Sequence, residues 1–246
     1  MAGSFKDYFS RQAEAYERYR PGYPPELFRF LASIAPSRER ALDVATGNGQ
    51  AAVELGEWFG SVRATEPSQS QLARARPHPR VQYAREPAER IGSPDSHFDL
   101  VTAAQAAHWF DWRRFYPEVR RVLRPGGVLA VWTYEKFRAG GDVDGIVDDF
   151  YRDVVGPYWP RERSHVEEAY RRLPFPFEEI AVPRFSLVTH WSVGTALRYL
   201  GTWSAVQRCR DLRGEDPLAL VAQPLRDAWG EGERPLSWPI HLRAGR

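Results

Sequence analysis

Cysteine is almost absent from this chain of 246 residues. Cys209 stands alone, which excludes an intrachain disulfide and any metal site built from several thiolates. A reactive thiol needs an activating environment that the sequence does not show, so Cys209 reads as a small buried apolar residue. Lysine is nearly as scarce: Lys6 and Lys136 are the only two, so arginine carries the positive charge at a formal net charge of +2. Arg120, Arg121 and Arg124 alternate with apolar residues at helical spacing. That is the pattern of a solvated helix face rather than a nucleic-acid stripe, and no nucleic-acid partner is expected. No apolar run approaches the ~20 residues of a transmembrane helix. The opening MAGSFKDYFSRQ has no apolar signal core. A soluble, cytoplasmic protein without a membrane partner is expected. Internal repeats and low-complexity linkers are also lacking, so residues 1–246 read as one domain.

What is present is aromatic surface and a strand–helix rhythm. The nine tryptophans are read mainly as packing residues, with an aromatic-lined pocket as the functional alternative. Residues 5–19 predict a helix with Phe5, Phe9, Tyr16 and Tyr19 on one face, ended by Pro21-Gly22. A second helix follows Pro24-Pro25. Short apolar strands are then expected at 41–45, 62–65, 81–84, 98–103 and 128–133. Helices are expected over 50–59, from a Ser68 cap through 76, and around 115–123, with Pro117 tolerated only in a first turn. This alternation predicts an α/β fold, a doubly wound parallel sheet that binds its ligand at the carboxyl ends of the strands. N-terminal helices over 1–40 precede a ligand-binding core over 41–137. After Tyr134 the rhythm breaks. Residues 138–176 read as a helical cap over the site, and 177–246 as strands at 177–189 and 237–242 with helices around 195–208 and 217–229.

The segment 41–50, ALDVATGNGQ, leaves a strand and enters a helix. Its glycines permit a tight turn with positive φ and close approach of a ligand to the backbone. The free N–H groups of the following helix suit a carboxylate or a phosphate. Gly47, Gly49 and Ala52 also satisfy a dinucleotide fingerprint, with Glu66 about 20 residues further on as a ribose-binding acid. An NAD-type oxidoreductase therefore stands as an alternative. Asp43 at the strand's carboxyl end argues against it, because a carboxylate there suits a cationic amino group and repels a pyrophosphate. Glu66, in Thr-Glu-Pro-Ser, can accept from both hydroxyls of a ribose.

Further landmarks follow in order: YERYRPGYP at 16–24, LDVATGNGQ at 42–50, ATEPS at 64–68, PAE at 87–89, FDLVTAAQAAHWF at 98–110 and LRPGG at 123–127. Together they resemble the class I S-adenosylmethionine-dependent methyltransferases, within them the methyltransferase type 11, trans-aconitate methyltransferase-like group. The resemblance implies a Rossmann-like sheet of seven strands, the last inserted antiparallel, and methyl transfer to a small organic acceptor, O- or carboxyl-methylation being favoured. It implies S-adenosylmethionine as cofactor, S-adenosylhomocysteine as product and no metal. Asp43, Thr46, Gly47, Gly49 and Gln50 are expected around the methionyl part. Glu66 is expected on the ribose, with Pro67 and Ser68 flanking ribose and adenine. Ala88 and Glu89 are expected on the adenine side, Gln105 under the cofactor, and Tyr16 closing over it. Two departures stand out: Ala45 where the family usually has glycine, and Pro87 where a polar side chain often meets the adenine amine.

A sulfonium methyl is already electrophilic, so holding the acceptor in line is the main task, and proximity supplies ~7–11 kcal/mol in favourable systems. His108 is the candidate catalytic base, since histidine titrates near neutrality. His165 and His190 are weaker candidates. Because this fold hosts several chemistries, a module that binds S-adenosylmethionine without transferring methyl is the other alternative.

Overall fold

A computed structural model of the chain describes residues 21–246, so the helix expected over 5–19 and the Tyr16 contact lie outside the described residues. The described part alternates as expected: α1 (Pro25–Ile34), β1 (Arg40–Val44), α2 (Gln50–Gly56), β2 (Ser61–Thr65), α3 (Gln69–Leu72), β3 (Val81–Ala84), β4 (Phe98–Ala104), α4 (Trp112–Val122) and β5 (Leu123–Tyr134). Beyond these come α5 (Asp142–Asp149), α6 (Arg163–Glu167), β6 (Phe185–Ser192), α7 (Val193–Gly201), α8 (Ser204–Arg213), α9 (Leu218–Trp229) and β7 (Glu233–Gly245).

The seven strands form one sheet in the order β3-β2-β1-β4-β5-β7-β6. The first five are parallel, and β7 runs antiparallel between β5 and β6. The order reverses direction between β1 and β4, which is where an open α/β sheet leaves a crevice.

Side chains alternate across the sheet with period two, and each face buries its own core. Ala41, Leu100, Val128, Ala130 and Trp132 point to the face covered by α1, α2, α5, α7, α8 and α9. Leu42, Val44, Val101, Ala103, Leu129 and Val131 point to the face covered by α4 and α6. Four tryptophans, Trp132, Trp203, Trp229 and Trp238, are buried in the first core, which is the packing role expected of most of them.

Several boundaries differ from the sequence reading. Pro117 lies inside α4 rather than in its first turn; the helix begins earlier, at an Asp111 cap whose carboxylate accepts from Arg113 N–H. The helix after Ser68 stops at Leu72, and the expected 195–208 helix is two helices broken at Thr202-Trp203. The strand expected at 177–189 starts only at Phe185.

The segment 138–176, expected as a cap, is anchored in both cores. Val143, Val147, Phe150, Tyr151, Val155 and Tyr158 belong to the first core, while Val166, Tyr170 and Leu173 belong to the second. The chain is thus fastened to both faces and crosses from one to the other between Tyr158 and Val166.

Candidate active site

The β1–α2 loop is shaped by three residues in the left-handed region: Ala45 at φ 53°, Gly47 at 60° and Gly49 at 85°. Glycine adopts this conformation without a Cβ penalty, whereas alanine pays ~1–2 kcal/mol. That explains why the family usually has glycine where this chain has Ala45. The loop is tied down by Thr46 N–H to Thr65 O at 2.9 Å and Gly49 N–H to Thr46 O at 3.0 Å. At Gly49 the close approach is to Tyr83, whose hydroxyl oxygen would lie 2.0 Å from an added Cβ. At Gly47 an added Cβ would meet nothing within 4 Å, so bare backbone faces the space beyond.

That space is a cavity of about 400 Å³ above the carboxyl ends of β1, β2 and β4. It brings together most of the predicted residues: Thr46, Gly47, Gln50, Glu66, Pro67, Ser68, Ala88, Glu89 and Gln105 all line it. Glu66 is buried, and its two oxygens accept from Gly47 N–H at 3.0 Å and Ser68 N–H at 2.9 Å. A carboxylate oxygen has two lone pairs and can accept more than one hydrogen bond. Ser68 caps α3 with its own hydroxyl, which leaves Glu66 free of that task. Gln105, itself at φ 56°, donates from Nε2 to Tyr134 O at 3.0 Å and accepts from Thr133 Oγ1 at 2.6 Å. It therefore fixes the end of β4 to the end of β5. A non-glycine residue held in this region beside a cavity is a strained position of the kind found at functional sites.

Asp43, Gly49 and His108 do not line the cavity. Gly49 turns the loop from behind. Asp43 is still within β1, in register with Thr102 on β4, and so its side chain lies across the sheet face rather than at the strand's open end. It is fully buried and accepts from Thr102 Oγ1 at 2.6 Å and Thr46 Oγ1 at 2.5 Å. Burial pushes its pKa up to about 6, against the pull of the Thr102 and Thr46 hydroxyls. Asp43 is thereby a positioning residue behind Thr46, not a direct wall of the cavity.

The expectation that His108 is a base at the acceptor does not fit its surroundings. It is buried, with Nδ1 hydrogen-bonded to the Tyr170 hydroxyl at 2.7 Å and its ring against Trp109. Burial, with the charges of Arg163 and His165, pushes its pKa down to about 3. So weak a base has little driving force to take a proton near neutral pH. Its stability effect has a definite sign. The unfolded chain takes up a proton below about pH 6.5, the folded one does not, and stability falls as pH drops through that window. Between pH 7.5 and 5 the wild type should lose ~2 kcal/mol more than His108→Gln, measured by urea unfolding at both pH values. Equal losses in the two proteins would show that His108 is not held neutral.

The cavity also contains residues that the sequence reading missed: Tyr23, Asn48, Gln71, Trp109, Phe110, Asp111, Arg114 and Glu162 among them. Trp109 and Phe110 sit in the HWF stretch already singled out, where the strand-end position was the available signal. Glu162 arrives from the crossing between the two cores, and nothing in its neighbourhood in sequence marks it. Among the described residues no group of histidine, cysteine and carboxylate side chains is arranged to hold a metal ion, and no helix is long and apolar enough to cross a membrane.

Comparison with known proteins agrees with this geometry. Residues 42–131 match the methyltransferase domain family. A protein of Dictyostelium discoideum named as a methyltransferase is 32% identical over 229 residues, spanning 92% of this chain and 87% of its own length. An uncharacterized methyltransferase of Mycobacterium tuberculosis is 35% identical over 191 residues, 74% of this chain and 78% of its own. A solved structure from Anaeromyxobacter dehalogenans, described as a type II methyltransferase, superposes with a TM-score of 0.87 at 48% identity, covering 93% of this chain and 98% of that one.

Proposed function

Since this chain belongs to the class I S-adenosylmethionine-dependent methyltransferases, we propose that it methylates an oxygen of a small organic acceptor, a carboxylate before a hydroxyl. The observation that carries this reading is the placement of histidine: among the described residues none lines the cavity, and His108 is buried with Nδ1 hydrogen-bonded to the Tyr170 hydroxyl. A carboxylate oxygen arrives already deprotonated and needs only to be held in line.

The residues present fit the cofactor. Glu66 offers carboxylate oxygens where ribose hydroxyls can donate, and the bare backbone at Gly47 admits the methionyl part. Pro67, Pro87, Ala88 and Phe110 give the cavity apolar surface that suits a flat base, and Ser68 and Glu89 add polar groups to the same lining. When bound, the cofactor supplies an electrophilic sulfonium methyl. The chain's part is to orient and to exclude water: Gln105 locks the ends of β4 and β5, and Tyr23, packed edge-on against Trp132 at 5.5 Å, closes the side next to Gln50.

Asp43 adds a pH dependence. The cofactor's ammonium group favours the ionised carboxylate, so affinity should rise as pH increases through about 6. Calorimetric titration with S-adenosylhomocysteine should show ~10-fold tighter binding at pH 7 than at pH 5, and Asp43→Asn should flatten the curve. An equally steep curve in Asp43→Asn would assign the titration elsewhere. The acceptor chemistry is tested with S-adenosylmethionine tritiated in the methyl group and a panel of small acids, phenols and amines. Carboxyl methylation gives an ester that releases tritiated methanol in mild base. Transfer to amines alone would refute the oxygen reading.

A further inference from the structure

The sheet has two edge strands, and they are built differently. At one edge β3 is four residues long and lies between Arg80 and Arg85. A short strand between charges is a blunted edge. At the other edge β6 is eight residues long, and its sequence FSLVTHWS contains no lysine, arginine, carboxylate, proline or glycine. It carries none of the usual devices against pairing with another strand. Val188, near its middle, is 65% exposed.

The neighbouring strand β7 decides which backbone groups of β6 face outward. Ser237 N–H donates to Arg138 O at 2.9 Å, and Ser237 O accepts from Arg138 N–H at 2.8 Å. Ser237 therefore bonds away from β6. Val188 stands opposite it. In an antiparallel pair, opposed residues either exchange both hydrogen bonds or both point away. Val188 thus turns its N–H and C=O to the open edge, as do Ser186 and His190 two residues to either side. The prolines agree: Pro239 lies opposite Ser186 and Pro235 opposite His190, where β7 needs no N–H toward β6. These outward backbone groups have no hydrogen bond among the described residues.

We propose that β6 pairs antiparallel with β6 of a second copy of the chain, about a two-fold axis at Val188. The strand is complementary to itself in that register. Val188 meets its counterpart as a hydrogen-bonded pair and Ser186 meets the partner's His190, so every outward donor and acceptor of the three residues is used. On the other face Phe185 falls opposite the partner's Trp191, an aromatic pair at the closer, non-hydrogen-bonded spacing. Both rings are only partly buried in the single chain. Charge is complementary as well. Arg184, just before β6, falls opposite the partner's Ser192, and the partner's Glu233 follows in the same row. Arg184 and Glu233 are both exposed, and neither has an ion pair among the described residues. Their long side chains can span the ~10 Å of two strand spacings across the short serine. The paired edge lies three strands from β4, away from the cavity, so the inference does not depend on the methyl-transfer reading.

Sedimentation equilibrium of the full chain should give a reversible dimer, twice the 28.2 kDa chain mass, with a dissociation constant in the micromolar range. Val188→Lys sets two like charges against each other at the axis and should raise that constant by ~10-fold or more. Because Val188 is exposed and its N–H bonds nothing within the chain, the melting temperature of the dilute monomer and its affinity for S-adenosylhomocysteine should not change. Arg184→Glu turns two attractive pairs repulsive and should raise the constant by ~5-fold or more, while Arg184→Glu with Glu233→Arg should return to within ~3-fold of wild type. A chain that stays monomeric up to ~1 mM would overturn the pairing and leave the edge to a different partner. So would a dimer that Val188→Lys leaves intact, or a charge swap that fails to restore what Arg184→Glu loses.

Discussion

Replacing Glu66 with alanine is expected to weaken S-adenosylhomocysteine binding by ~100-fold and to lower stability by ~2 kcal/mol. The first figure follows from two hydrogen bonds to a charged acceptor, worth ~1.5–3 kcal/mol each. The second follows from the folded structure alone: the carboxylate accepts from Gly47 N–H and Ser68 N–H, and without it the buried Ser68 donor and the half-buried Gly47 donor lose this partner. Glu66→Gln keeps one acceptor oxygen but sets an amide N–H against one of the two backbone donors, so it should fall between wild type and alanine in both measurements. Calorimetry and thermal melts on the two variants separate the roles. A lower melting temperature with unchanged affinity would make Glu66 a loop brace and nothing more.

Gly49→Ala is the second large effect. At φ 85° any Cβ is strained, and here it would also stand 2.0 Å from the Tyr83 hydroxyl oxygen. Tyr83 cannot swing away freely, because its hydroxyl donates to Arg76 O at 2.7 Å. Backbone strain and overpacking together should cost ~3 kcal/mol and disturb the loop that carries Gly47. Gly47→Ala, at φ 60° in open space, should cost only the strain, ~1–2 kcal/mol. Adding Tyr83→Ala to Gly49→Ala removes the steric part. Urea unfolding of the double-mutant cycle should therefore show a favourable coupling of ~1 kcal/mol or more. Additive losses would mean that Tyr83 does not limit the position.

These two residues also show what was legible in the sequence. The glycine loop, Glu66 and the succession of strands and helices along the chain are legible in local patterns: apolar runs of strand length, glycine at a strand–helix turn, an acid ending the next strand. Such signals depend on residues close together in the chain. The antiparallel placement of β7 came from resemblance, not from periodicity. Asp43 was assigned to the ligand because it ends an apolar run, yet its register with Thr102 turns it across the sheet face. Register depends on a strand some 60 residues away, which no local pattern reports. The burial of His108 is hidden from the sequence for the same reason: its partner Tyr170 comes from the far side of the crossing between the two cores. Glu162 reaches the cavity only once that crossing is made, so no spacing in the chain could join it to the other lining residues.

The central claim is that the cavity above β1, β2 and β4 holds S-adenosylmethionine. Isothermal titration of the purified chain with S-adenosylhomocysteine, and in parallel with NAD, tests it most directly. One saturable S-adenosylhomocysteine site per chain, weakened by Glu66→Ala, is expected, with no saturable NAD binding. Saturable NAD binding without S-adenosylhomocysteine binding, or S-adenosylhomocysteine binding indifferent to Glu66, would contradict it.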